Sequence, residues 1–292
     1  MERCGMSIIW ELDFYSRPIL DDNQKKVWEV LICESPLDPR QSTDGLFQYS
    51  SWCPNQQVNS IWLREAVEEA MVQRQETPKK IRFFRRQMSN MITKACEELG
   101  ILAQATRRTY RLNQWLHQRM EEFYPQQPGY EPSAAASSFV NYQPQIPQAL
   151  PDALQGQKWA FVSLEAGAFD EMQEWEIDFG EAFPLSMIGL TPDTRIPGII
   201  IFSDRAKPLA AWMSGLELAF VRVETGAIAR LLLETGASES WILATMTDSQ
   251  TLAEAKGFES AKQKANEVHF VAVQTSQTSE RFAGFWLLQE LK

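Results

Sequence analysis

Apolar and polar residues alternate near the start of the chain. Within Trp10-Glu-Leu-Asp-Phe14 the apolar side chains share one face, and Glu11 and Asp13 share the other, which is the pattern of a half-buried strand. Pro18 and a polar turn are expected to end this strand, and the apolar run Val27–Cys33 follows as a buried partner. We therefore predict a central hairpin on which the N-terminal half packs.

Strands and helices then alternate. Asn59 or Ser60 begins a helix whose apolar residues recur at helical spacing, and a second helix with such a stripe ends near Gly100. A short strand at 81–84 lies between them, further strands are predicted at 45–50 and 101–103, and a third helix at 106–122. This order predicts an α/β layered sheet and resembles the topology of the ribonuclease H-like fold, an analogy that carries no activity.

A change in composition divides the chain. Residues 125–157 are polar and rich in Pro, Ser and Ala, a composition typical of a linker. We predict an N-terminal α/β domain at 1–124, a linker at 125–157 and an acidic C-terminal α/β domain at 158–292. The C-terminal half reads as apolar strands around helices near 209–216 and 252–264.

Three strings carry a family resemblance: WELDFYSRPI at 10–19, the WE-hydrophobic-IC segment at 28–33, and GFWLLQEL at 284–291. They closely resemble the family required for translation of the photosystem I B-subunit messenger, the A/U-rich RNA-binding proteins of cyanobacteria and plastids. The likeness runs nearly end to end and is weakest around 125–150. The chain looks like a cyanobacterial member.

The resemblance implies a non-enzymatic factor that binds A/U-rich single-stranded leader RNA. It implies a role in translation and biogenesis of photosystem reaction-centre proteins, with translation or photosystem assembly proteins as further partners. No cofactor is expected. The resemblance does not say which residues touch RNA.

Composition narrows the class of protein. The apolar fraction of 44% indicates a globular chain, and no apolar run reaches the length of about 18 residues that a membrane span needs. The N-terminus leads directly into the first strand, and the four cysteines are scattered, so we expect a reduced cytoplasm, or the plastid stroma for plastid relatives. Composition and cysteine spacing do not define an oligomeric state, and they predict no metal site.

Charge is unevenly distributed. The net charge is −10, yet residues 79–111 hold nine bases and two acids. Arginines at the strand-to-helix turn and at the start of the third helix could follow one phosphate track, and Tyr15 with Arg17 forms an exposed pair in the family motif. The predicted RNA-binding residues are Lys79, Lys80, Arg82, Arg85, Arg86, Arg107, Arg108, Arg111, Tyr15 and Arg17.

Two other functions stay open. Asp13, Glu65 and Asp204 are the metal-binding carboxylates if the chain is a nuclease or a degenerate relative of one. The structural alternative to a nuclease site is that Glu11, Asp13 and Glu29 pair with Arg17, Lys25 or Lys26 on a solvated sheet face, or orient loops. The acidic C-terminal half also suits a protein-interaction scaffold for photosystem assembly.

Overall fold

The structure is a computed structural model that describes residues 8–133, 145–156, 158–226 and 228–291. The chain divides into two compact units. The described residues of unit 1 are 8–35 and 45–133, and those of unit 2 are 36–44 and 145–291 with the two gaps above. The predicted fold class, α/β with mixed sheets in two domains, is confirmed.

Unit 1 begins with the predicted hairpin. Strand β1 (Ile9–Leu20) pairs antiparallel with β2 (Lys26–Glu34), which pairs antiparallel with β3 (Gln48–Cys53). Pro18 was expected to end β1, but the strand continues to Leu20. The register of the β1–β2 pair shifts between Ser16 and Leu20, and this irregularity accommodates a residue that has no amide hydrogen. The third strand also starts later than the predicted 45–50.

Parallel strands complete this sheet. Helix α1 (Ser60–Arg74) leads to β4 (Lys80–Phe83), and α2 (Ser89–Glu98) leads to β5 (Leu102–Ala105). The resulting order, β3-β2-β1-β4-β5 with β4 parallel to β1 and β5, matches the ribonuclease H-like order that the sequence suggested. Gly100 ends the α2 turn with φ of +68°, a backbone conformation that residues with side chains rarely adopt.

Both faces of this sheet are covered. Trp10, Leu12 and Phe14 pack against α1 and α2 in one core. Helix α3 (Tyr110–Gln118), continued by a π-helical turn (Arg119–Phe123), packs on the opposite face. Its α-helical part starts at Tyr110, four residues later than predicted. Trp10, Phe83 and Trp115 are all buried.

The described residues of unit 2 form two sheets. Their strands are β6 (Gln148–Ala149), β7 (Lys158–Glu165), β8 (Ile177–Glu181), β9 (Arg195–Phe202), β10 (Leu218–Glu224), β11 (Ala229–Thr235), β12 (Glu239–Met246), β13 (Val268–Gln274) and β14 (Phe282–Gln289). One sheet has the order β7-β9-β13-β14-β8 and the other β10-β11-β12-β6. Helices α4 (Ala206–Gly215) and α5 (Ser249–Lys264) share an apolar core with both sheets.

Side chains close one edge of the smaller sheet. Strand β10 lies at that edge. The amide of Val221 donates to Nε2 of His269 at 2.7 Å, and Lys262 Nζ donates to the Val221 carbonyl at 2.9 Å. The amide of Val223 donates to Glu259 at 2.7 Å. We call Glu259, Lys262 and His269 the edge cap, because they bind main-chain groups that have no neighbouring strand.

The predicted linker has described residues at both ends. Leu20 donates its amide to Gly129 at 2.8 Å, and Glu131 donates to Pro18 at 2.9 Å, so residues 129–131 lie along the end of β1. Gln148–Ala149 pairs with β12. Residues 134–144 lie outside the described residues, and the boundaries at 124 and 157 stay a prediction. Within the described part of the chain, no helix has the length and apolar character that crossing a membrane requires.

Candidate nucleic-acid interface

Ionised side chains lie beneath α3 rather than on a solvated face. Residues 11, 13 and 17 of β1 point to the side that α3 covers, because side chains alternate along a strand. Asp13, Arg17 and Glu29 are fully or almost fully buried. The expected pairing of Asp13 and Glu29 with Arg17 is confirmed. The expectation of a solvated sheet face is wrong, because the apolar surface of α3 and its π-helical turn covers it.

Arg17 joins two strands. Its Nη1 donates to Asp13 at 2.8 Å and its Nε donates to Glu29 at 2.9 Å. Arg85, which follows β4, donates through Nε to Asp13 Oδ1 and through Nη2 to Oδ2 at 3.2 Å. Burial alone raises the pKa of Asp13, but the guanidinium groups of Arg85 and Arg17 outweigh this and hold the pKa below its usual value.

The Glu29 carboxylate receives two further contacts, and their donors also contact each other. The Tyr124 hydroxyl donates to its Oε2 at 2.6 Å, Arg119 donates to its Oε1, and Arg119 Nε also donates to the Tyr124 oxygen at 3.2 Å. Burial raises the pKa of Tyr124, so its hydroxyl stays a donor at neutral pH. We call Asp13, Arg17, Glu29, Arg85, Arg119 and Tyr124 the ion cluster. Because each carboxylate has several charged donors, the cluster meets the condition for burying charge.

Glu11 positions the covering helix. Its Oε2 accepts the amide of Leu112 at 2.7 Å, and its Oε1 accepts the hydroxyl of Ser35 at 2.6 Å. An amide in the first turn of a helix has no partner within the helix, so the carboxylate satisfies it and fixes where α3 begins. Both carboxylates of β1 thus have structural roles, because Glu11 binds the start of α3 and Asp13 binds two arginines.

The predicted RNA-binding residues differ in exposure. Lys79 and Arg86 are exposed, while Lys80, Arg111 and Tyr15 are half-buried. The buried members are Arg17, Arg82, Arg85, Arg107 and Arg108. The predicted exposed pair of Tyr15 and Arg17 is therefore wrong for Arg17, whose charge is used inside the ion cluster.

Aromatic side chains gather where β4 ends. The Arg85 guanidinium carbon lies 3.9 Å from the centroid of the Tyr15 ring, and that ring lies 5.7 Å from Trp28. Phe14 lies 5.5 Å from both Trp28 and Trp62. Tyr15, Trp28 and Trp62 are half-buried, and Arg86, the residue after Arg85, is exposed. This end of the unit 1 sheet therefore combines a surface cation with partly accessible rings.

Two family models match the chain. The model described as "RNA-binding protein Tab2/Atab2 N terminal" matches residues 9–119, and the one described as "RNA-binding protein Tab2/Atab2, C-terminal domain" matches residues 137–289. The chain belongs to the Tab2 family of RNA-binding proteins. The family named from the three sequence strings is thereby confirmed.

Curated relatives agree with this assignment. A protein of Zea mays named "Protein TAB2 homolog, chloroplastic" is 38% identical over 291 residues, which are 97% of this chain and 71% of the relative. A protein of the same name from Arabidopsis thaliana is 37% identical over 292 residues, covering 97% of this chain and 74% of the relative. No solved structure matches the chain.

Within unit 1, Asp13 and Glu65 of the nuclease hypothesis lie on opposite faces of the sheet. Asp13 is bound by Arg17 and Arg85 on the α3 side of the sheet. Glu65 lies exposed on α1, which packs on the opposite face, and Asp204 belongs to unit 2. In the described residues no three His, Cys, Asp or Glu side chains are grouped as metal ligands. The position of a catalytic metal beside Asp13 is taken by two guanidinium groups.

Sequence reasoning missed several members of the site. Trp28 stands in the family string, and only its neighbours across the hairpin ladder identify it as part of this site. Arg119 lies in a π-helical turn that a 3.6-residue period does not reveal, and Tyr124 follows that turn directly. Trp62 follows the Asn59 cap, whose Oδ1 accepts two amides at 2.9 Å, so the cap was a usable signal for its place at the helix start.

Proposed function

We propose that this protein binds A/U-rich single-stranded leader RNA and thereby supports translation and biogenesis of photosystem reaction-centre proteins. The observation that carries the proposal is membership of an RNA-binding family along nearly the whole chain. The protein acts as a binding factor and not as an enzyme, without a cofactor. Its partners are RNA and, beyond it, translation or photosystem assembly proteins. It works in the cytoplasm, and its plastid relatives work in the stroma.

The exposed part of the basic segment supplies the phosphate contacts in this proposal. We assign them to Lys79, Lys80, Arg86 and Arg111, which are exposed or half-buried. A phosphate oxygen needs a donor that reaches solvent, so the buried Arg82, Arg107 and Arg108 receive no such contact. Arg17 and Arg85 support the surface from beneath through the ion cluster.

Equilibrium binding at several salt concentrations tests the proposal. The full chain is titrated with an A/U-rich single-stranded leader and with a G/C-rich RNA of equal length. We expect tighter binding of the A/U-rich RNA, with log K falling linearly with log salt by roughly 0.7 for each phosphate contacted. Equal affinity for both RNAs contradicts the base preference. Failure to bind either RNA below roughly 10 μM at low salt contradicts RNA binding itself.

The cellular role has a separate test. In a phototroph that lacks this protein, we expect ribosome loading on a photosystem reaction-centre messenger to fall while the level of that messenger stays the same. Normal loading with failed assembly contradicts a role in translation. Capture of assembly proteins that survives ribonuclease treatment would then support the scaffold alternative.

A further inference from the structure

Three half-buried rings at one end of the unit 1 sheet are linked by ring contacts, Tyr15 directly to Trp28 and Trp28 to Trp62 through the buried Phe14. Trp28 lies opposite Ser16 of β1 on one side and opposite Cys53, the last residue of β3, on the other. Tyr15 belongs to β1, and Trp62 lies in the first turn of α1, shortly after β3 ends. The three rings therefore come from three elements that meet at one end of the sheet. We call Tyr15, Trp28 and Trp62 the aromatic rim.

Contacts between the rings fix their positions. Phe14 is fully buried, and its ring is stacked on Trp62 with 16° between their planes. It also touches Trp28, which in turn contacts Tyr15 at 62° between planes. The rim thus stands on a core residue and presents rings whose orientation is set before a ligand arrives. Such preorganisation lowers the entropic cost of binding.

The ion cluster holds Tyr15 from below. Arg85 is bound by both carboxylate oxygens of Asp13, and its guanidinium lies over the Tyr15 ring. A buried arginine held by a carboxylate keeps its plane fixed, and a cation on a ring face is attractive. The buried charges therefore have a consequence at the surface, because they set the orientation of a rim residue.

We infer that the aromatic rim is a stacking site for the unpaired bases of single-stranded RNA. This inference rests on the proposed RNA-binding function and adds the location and the mode of base contact. Unpaired bases bind proteins by stacking on aromatic rings beside cations that follow the backbone, and the exposed Arg86 supplies such a cation next to Arg85. Stacking accepts any base, so the rim supplies affinity for a single strand.

Substitution at the rim tests the inference in the full chain. Tyr15→Leu, Trp28→Leu and Trp62→Leu are each expected to weaken binding of an A/U-rich oligonucleotide by about 5- to 150-fold. The salt dependence should stay unchanged, because stacking releases no counterions. Trp52→Leu is the matched control, since Trp52 is 40% exposed in the same unit and its ring contact is with Tyr124. Its affinity should equal that of the unsubstituted protein.

Cross-linking of the unsubstituted protein keeps the inference testable if a rim variant does not fold. Ultraviolet cross-links to the A/U-rich oligonucleotide are mapped by mass spectrometry, and we expect them at Tyr15, Trp28 or Trp62. Cross-links elsewhere, or rim variants that bind as tightly as the Trp52→Leu control, overturn the rim while RNA binding itself stands. Absence of any salt-sensitive RNA binding overturns both the rim and the proposed function.

Discussion

Unit 1 and unit 2 each bury ionised side chains, but they use them differently. In unit 1 the ion cluster links side chains to one another, from Asp13 through Arg17 to Glu29. In unit 2 the edge cap binds the main chain of β10, with Lys262 also held by Glu259 at 3.0 Å and Glu290 at 2.6 Å. One arrangement supports a surface, and the other closes a sheet edge.

The comparison teaches that burial of charge does not by itself identify a functional site. The edge cap provides hydrogen-bond partners for two amides and a carbonyl at a sheet edge. This structural role explains why its side chains are buried. The ion cluster mainly joins side chains to one another, and its member Arg85 contacts a half-buried ring at 3.9 Å. We therefore associate RNA binding with the end of the unit 1 sheet and stability with the unit 2 edge.

The largest expected effect comes from removing a carboxylate of the ion cluster. Glu29→Leu leaves Arg17 and Arg119 buried without their shared partner, and such uncompensated charge costs about 3–5 kcal/mol of unfolding free energy. Urea denaturation followed by tryptophan fluorescence measures it. Glu65→Gln on the exposed face of α1 is the control and should change stability by less than about 0.5 kcal/mol. Equal stability of the two variants would show that the cluster is not needed for folding.

Removing the cation of the edge cap should cost less. Lys262→Met leaves the Val221 carbonyl without its donor, a loss of about 1–3 kcal/mol, while Glu259 and Glu290 are partly exposed and can turn to water. RNA affinity should not change. A variant with normal stability but weakened RNA binding would reverse the roles that we assign to the two units.

Acid should weaken unit 2 through His269. Burial and the nearby Lys262 lower the pKa of His269 to about 3, from an ordinary value near 6.5. The unfolded chain binds this proton first, so stability is complete above about pH 6.5 and falls as the pH drops towards 3. Between pH 7 and pH 5 we expect a loss of about 2 kcal/mol. His269→Gln should remove this dependence, and an unchanged slope in that variant would assign the loss to other groups.

The smallest effect concerns a single surface cation. Arg86→Gln should weaken RNA binding a few-fold and reduce the salt slope by about 0.7, because one phosphate contact is lost. Lys256→Gln on the exposed face of α5 is the matched control and should leave the slope unchanged. If both variants show the same salt slope, Arg86 does not contact an RNA phosphate.

The sequence predicted elements better than it predicted exposure. The hairpin and the helices follow from the spacing of apolar residues along each element, and the α/β class follows from the order of those elements. The burial of Arg17 and Asp13 depends on α3, which is distant in sequence and covers their face only in the folded chain. A strand with apolar residues on one side and charges on the other has the same pattern whether water or a helix meets the charges.

Hydrogen exchange with and without RNA tests most directly whether RNA meets the end of the unit 1 sheet. The exchange rates of the main-chain amides are compared between the free full chain and the chain bound to the A/U-rich leader. We predict slower exchange on binding in residues 54–62, before and at the start of α1, and in residues 84–89, between β4 and α2. Protection confined to unit 2, with both unit 1 segments unchanged, would contradict the account.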